Sequence, residues 1–108
     1  MKTLKFKGFK SQWILDNKKT ATMRLFDDKN LSIGDELELV NSDTGDIFAY
    51  AKISEVIEKK LSELIESDFS GHERWRNNKE MYEGFIKYYG DRVKPDTIVK
   101  IIRFTIHD

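Results

Sequence analysis

The sequence predicts a small α+β protein, a mostly antiparallel β-barrel of about five to six strands with short helices at its ends. Three observations lead there. Apolar residues alternate with a period of two in five separate segments, three other segments switch to helical spacing, and the turn-forming run 41–46 joins two of the strands as a hairpin. At 108 residues the chain suffices for one domain, expected over 1–108, and 39 % hydrophobic with 12 % aromatic residues can fill a single core.

Residues 3–8 set Leu4, Phe6 and Gly8 against Thr3, Lys5 and Lys7, a strand with one face buried. Phe9, Trp13 and Ile14 then recur at helical spacing around 10–16, and Asn17 suits the left-handed turn that stops a helix. Residues 20–26 make the second strand, with Ala21, Met23 and Leu25 on one face and Thr20, Thr22, Arg24 and Phe26 on the other. After a turn at 27–30, Ser32-Ile33-Gly34-Asp35 leads into a strand at 36–40 with Leu37 and Leu39 inward, and its hairpin partner covers 47–56. From Lys59 the period changes, with Leu61, Leu64 and Ile65 at helical spacing. Asn78 is expected to cap a helix with Glu80 in its first turn and Met81, Tyr82, Phe85 and Tyr89 as its apolar stripe, stopped by Gly90. Pro95-Asp96 opens the last strand, 97–106, whose Ile98, Ile102, Phe104 and Ile106 share one face while Val99 and Ile101 fill the other.

Composition excludes several classes of function. The absence of cysteine removes disulfides, thiol catalysis and cysteine-ligated zinc, and fits a reducing compartment. No run approaches the roughly 20 apolar residues of a membrane-spanning helix, and the start lacks the apolar segment of a signal peptide, so a cytoplasmic protein without membrane contact is expected. His72-Glu73 opens like a zinc-protease helix, but Arg76 stands where the second histidine must be, so no metal is expected; no phosphate-binding loop or dinucleotide fingerprint occurs.

Nineteen basic residues balance nineteen acidic ones, yet the charges are segregated. Residues 1–26 hold seven basic groups and one acid (+6), residues 27–66 four and eleven (−7), and residues 67–108 eight and seven (+1). The basic first quarter makes either a local anion-binding surface or an internal partner for the acidic middle. Its last part, 17–24, packs Lys18, Lys19, Thr20, Thr22 and Arg24 into one short stretch; the plain alternative is an exposed strand face. Trp75 between Arg74 and Arg76, with Trp13 and Phe9 near the basic segment, mixes π-faces and cations as base stacking requires, although Trp13 fits a core position equally and Trp75 a loop closure.

The segment resembles the Gly-x-Lys-x-x-Thr-x-Arg signature of the ASCH domain, a compact barrel similar to the PUA fold that binds RNA. Lys19, Thr22 and Arg24 match, and Asn17 takes the place of the glycine, the substitution that costs least at a left-handed position. Ile33-Gly34-Asp35, Tyr88-Tyr89-Gly90 and the closing strand resemble the family in order and spacing, so the similarity covers nearly the whole chain.

Small bacterial members of that family are acetylcytidine amidohydrolases, which remove the acetyl group from the exocyclic amine of cytosine. The resemblance implies a catalytic set of Lys19, Thr22 and, most naturally, Glu73. In those roles Thr22 attacks the acetyl carbonyl, Lys19 takes its proton and Glu73 protonates the departing amine. Lys19 must then fall below its free value of about 10.4 through desolvation or the charge of Arg24. Glu73 must rise, against an apolar wall supplied by Trp75 or Trp13. Arg24 serves the oxyanion or a carbonyl of the base, and Thr20, Trp13, Trp75 and Arg74 complete the expected substrate surface. In a regular strand Lys19 and Thr22 face opposite ways, so if the two cooperate Lys19 must lie in the irregular turn before it. The expected partner is an acylated cytidine or RNA, with no cofactor and a monomeric protein; the alternative is a non-catalytic RNA-binding module. A nuclease has family precedent, but no histidine or carboxylate cluster lies near the signature.

Overall fold

The computed structural model describes residues 1–107. Its elements are β1 (Lys2–Phe6), α1 (Gly8–Leu15), β2 (Ala21–Leu25), β3 (Glu36–Asn41), β4 (Ile47–Lys60), α2 (Asn78–Tyr89) and β5 (Ile98–His107), with 3₁₀ turns at Leu61–Glu63 and Glu66–Phe69. The strands form one sheet in the order β1-β3-β4-β5-β2, in which only the β1–β3 ladder is parallel. This is a small α+β, PUA-like barrel that stays open between its edge strands β1 and β2. Side chains bridge the opening: Arg24 Nη2 donates to the Lys5 carbonyl at 3.1 Å, Lys29 Nζ to that of Thr3, and Lys2 Nζ to that of Asn30 at 2.7 Å.

The alternation along β5 divides the core. Ile102 and Phe104 face inward with Leu4, Phe6, Leu37, Leu39 and Ile53, and Ile14 of α1 packs into this cluster. Val99 and Ile101 face the other way, with Met23 and Leu25 of β2, and are covered by Met81 and Phe85 of α2. Each such fully buried aliphatic contributes about 1.5–3 kcal/mol, which is why both faces of β5 are apolar where two layers meet on it.

Three local expectations shift. The helix α2 is capped by Asn77 rather than Asn78, its side chain accepting the Glu80 amide at 2.9 Å. The fourth strand continues to Lys60, because Glu58, Lys59 and Lys60 pair with Lys100, Val99 and Ile98 on β5. Of the apolar residues after it, buried Leu61 opens the first 3₁₀ turn, while Leu64 follows that turn and exposed Ile65 precedes the second. Among the described residues no helix is long and apolar enough to cross a membrane.

Candidate functional site

The site is built by two loops that meet at the start of β2. Asn17, at φ 60°, ends α1 in the left-handed turn its side chain tolerates, and the amides of Lys18 and Lys19 both donate to the Trp13 carbonyl at 2.8 and 3.2 Å. Lys19 therefore leaves the chain from a turn, two residues before β2. The amides of Thr20 and Ala21 then donate to the Gly71 carbonyl at 2.8 and 3.1 Å, docking the 71–75 loop onto the strand. Gly71 has φ +74°, and a Cβ placed there would lie 2.1 Å from Thr20 Oγ1, so the approach requires glycine on both counts.

This docking carries Glu73 to Lys19. Lys19, only 3 % exposed, places Nζ 2.7 Å from Glu73 Oε2, while Lys10 of α1 reaches the other oxygen, Oε1, at 3.2 Å. His72 lies under the carboxylate, with Nδ1 2.7 Å from the Glu73 carbonyl and 3.7 Å from Oε2. A carbonyl only accepts, so Nδ1 carries the hydrogen.

Burial drives the electrostatics. It lowers Lys19 to about 8, helped by Lys10 and Arg24 and opposed by Glu73. Burial also lowers His72 to about 4, reinforced by the charge of Lys19. For Glu73 burial works against ionisation, but the charges of His72 and Lys19 and the hydrogen bond from Lys19 outweigh it and hold the carboxyl at about 2. At neutral pH His72 is uncharged, so the cations that balance Glu73 there are Lys19 and Lys10. Glu73 is therefore a carboxylate and not the raised acid expected from the sequence: the wall beside it is made of ammonium groups instead of indole.

Beside this pair lies a cavity of about 270 Å³ lined by Asn17, Lys19, Thr20, Phe104, Thr105 and Ile106. Thr22, 4 % exposed, faces the barrel interior opposite Ile102, and its hydroxyl makes no hydrogen bond to Lys19 or Glu73 among the described residues. Two residues on, Arg24 lies over the Phe6 ring at 5.0 Å; besides its bond to Lys5 it keeps a buried Nε–H with no acceptor. An unpaired buried donor costs about 1–3 kcal/mol, so this one calls for an acceptor. No group of three or more metal-ligating side chains occurs among the described residues.

No protein-family model matches the sequence, and no curated protein does. Solved structures do match. A protein of Enterococcus faecalis described under the family model DUF984 superposes at TM-score 0.81 and 16 % identity, over 100 % of this chain and 77 % of its own. An ASCH domain from Lactobacillus crispatus gives 0.72 and 14 %, over 97 % of this chain and 79 % of that one. The chain has the ASCH-domain fold. A mutant ASCH protein from Zymomonas mobilis agrees, with TM-score 0.64 and 8 % identity over 98 % of this chain and 68 % of that one.

The ASCH fold separates residues that the sequence grouped together. Arg74 is paired with Glu66, and Trp75 packs on Phe85 at 5.2 Å between ring centroids, with its Nε1 edge over Gly84. Both line a second cavity, of about 210 Å³, and neither lines the cavity of Lys19. The apolar cluster beneath α2 gains more from the large indole than an exposed position would. Trp13 is not core: it is 37 % exposed, edge-on to the 54 % exposed Phe9 at 5.2 Å, and Ser11 is buried beside Ile14 instead. Conversely, Lys10, Gly71 and His72 join the site without having been singled out for it. His72 was legible only as half of a metal motif, and Lys10 only as one of the seven basic groups of the first quarter.

Proposed function

We propose that this ASCH-fold protein is an amidohydrolase acting on an acylated nucleobase, acetylcytidine or a close relative. One observation carries the reading: a nearly buried lysine with a depressed pKa, held by a carboxylate at the wall of an open cavity. Such a lysine is charged about nine times in ten at pH 7 and keeps a reactive neutral fraction.

Neutral Lys19 accepts the Thr22 hydroxyl proton as Oγ1 bonds to the acyl carbon, and the carbonyl oxygen becomes an oxyanion facing the free Nε–H of Arg24. Collapse breaks the C–N bond, and the departing exocyclic amine takes its proton from the Lys19 ammonium. Water then hydrolyses the Thr22 ester, with Lys19 again receiving a proton and returning it to Oγ1. Lys19 thus serves as base and acid in turn. Glu73 orients its ammonium, a role that suits a carboxyl at about 2.

Purified protein incubated with acetylcytidine should release cytidine, with kcat/KM rising from pH 6 to about 8 as Lys19 loses its proton and levelling above. Lys19→Ala and Thr22→Val should abolish turnover. No product across a panel of acylated nucleosides ends the enzymatic reading. The second reading, RNA binding without catalysis, is favoured by the exposed Phe9–Trp13 pair on α1 beside Lys10 and Lys18. It predicts affinity that falls steeply with salt, and dissociation constants weaker than about 0.1 mM at low salt count against it.

A further inference from the structure

The charges gathered at Glu73 do not cancel. Lys10 and Lys19 occupy its two oxygens, Arg24 is near enough for its charge to act on Lys19, and His72 is neutral at pH 7. Two cations on one carboxylate leave a local charge of +1, and the charge of Arg24 reaches Lys19 as well. Asp16, the acid nearest along the chain, is exposed at the end of α1 and accepts a hydrogen bond from Gln12 at 3.0 Å. Lys18 adds a further exposed cation in the same turn.

Excess positive charge at a partly dehydrated wall is costly unless an anion approaches it. The acylated base carries no charge, and the oxyanion forms only transiently, so neither meets this surplus in the resting complex. Lys10 is the cation with a free side. Its side chain is about one-third exposed, whereas that of Lys19 is buried.

We propose that the site takes its acylated base on a phosphorylated nucleoside, with the phosphate seated against Lys10 beside Glu73 and the base directed toward Lys19 and Thr22. This rests on the amidohydrolase reading. The phosphate belongs either to a free nucleotide or to an RNA strand, which present the same anionic oxygens to an ammonium.

The test measures binding of unacylated ligands to the full chain, so it needs no turnover. Cytidine, cytidine 5′-monophosphate and a short oligocytidylate are titrated at low salt by NMR or calorimetry. The monophosphate should bind at least tenfold more tightly than cytidine, Lys10→Met should remove that difference, and Lys10→Arg should restore it. An oligonucleotide that gains a further tenfold, with a salt-dependent gain, identifies the strand as the source; equal binding identifies the nucleotide. Equal affinity for cytidine and its monophosphate, or a preference that survives Lys10→Met, overturns the proposal even where acetylcytidine is hydrolysed. A Lys10-dependent preference in a protein that deacylates nothing upholds the phosphate site and rejects the hydrolytic reading.

Discussion

Replacing Glu73 by glutamine keeps the shape of the side chain and removes its charge, so it isolates what the carboxylate does to Lys19. In the folded chain Lys19 titrates at about 8, against 10.5 for the free group. Between these values the unfolded chain binds more protons, so stability rises with pH there; below pH 8 the charged, buried ammonium costs about 3 kcal/mol, at 1.36 kcal/mol per pH unit. That cost would be larger without Glu73, whose charge and 2.7 Å hydrogen bond both favour the ammonium. A charge-assisted hydrogen bond contributes about 1.5–3 kcal/mol, equivalent to about one to two pH units. Lys19 in Glu73→Gln should therefore titrate near 6–7 and be largely neutral at pH 7.5, although the partner that holds it is gone. The assay is an NMR titration of the lysine ε-carbons, with the Lys19 signal assigned by its loss in Lys19→Arg. An internal control has the opposite sign: Lys10 depresses Lys19, so Lys10→Gln should raise it. A wild-type Lys19 that titrates at 10 or above, or one that moves upward in Glu73→Gln, refutes the reasoning.

Acidification should weaken the fold in two overlapping steps. Folded His72 sits at about 4 against 6.5, so stability falls as pH drops through that window; Glu73 sits at about 2 against 4.5, so its contribution is complete above 4.5 and lost toward 2. Each is worth about 3 kcal/mol and, because the two groups touch, their sum is less than additive. A melting temperature that stays level from pH 7 to pH 4 sinks this account. Gly71→Ala should cost about 2 kcal/mol from its φ of +74° and the crowding of Thr20 Oγ1, and should also raise Lys19 toward its free value as the docked loop lifts and water reaches the ammonium. An alanine variant as stable as the wild type, with Lys19 still near 8, would show that the loop docks without needing glycine.

Much of the architecture was legible along the chain, because strands and helices leave their own period in the residues they bury. The alternation in 20–26 and 97–106 separated the two faces of β2 and of β5, and Asn17 marked the turn. Lys19 lies in the turn before β2, the place that cooperation with Thr22 would require. The charge surplus of the first 26 residues was likewise visible, and two of its members, Lys10 and Lys19, converge on one carboxylate.

What only the tertiary structure decided is how these charges are held. Lys19 and Glu73 are 54 residues apart, and nothing local to either distinguishes a buried ion pair from two solvated charges. The pairing depends on the Gly71 carbonyl docking onto the amides of β2, and the depressed Lys19 depends on the water that this docking excludes. The outward turn of Trp13, the withdrawal of Trp75 beneath α2 and the extension of β4 through three charged residues were settled the same way. Periodicity reports the surface each segment can bury, whereas partners and proton affinities are set by what lies across the space between segments, where burial strengthens each charge interaction several-fold.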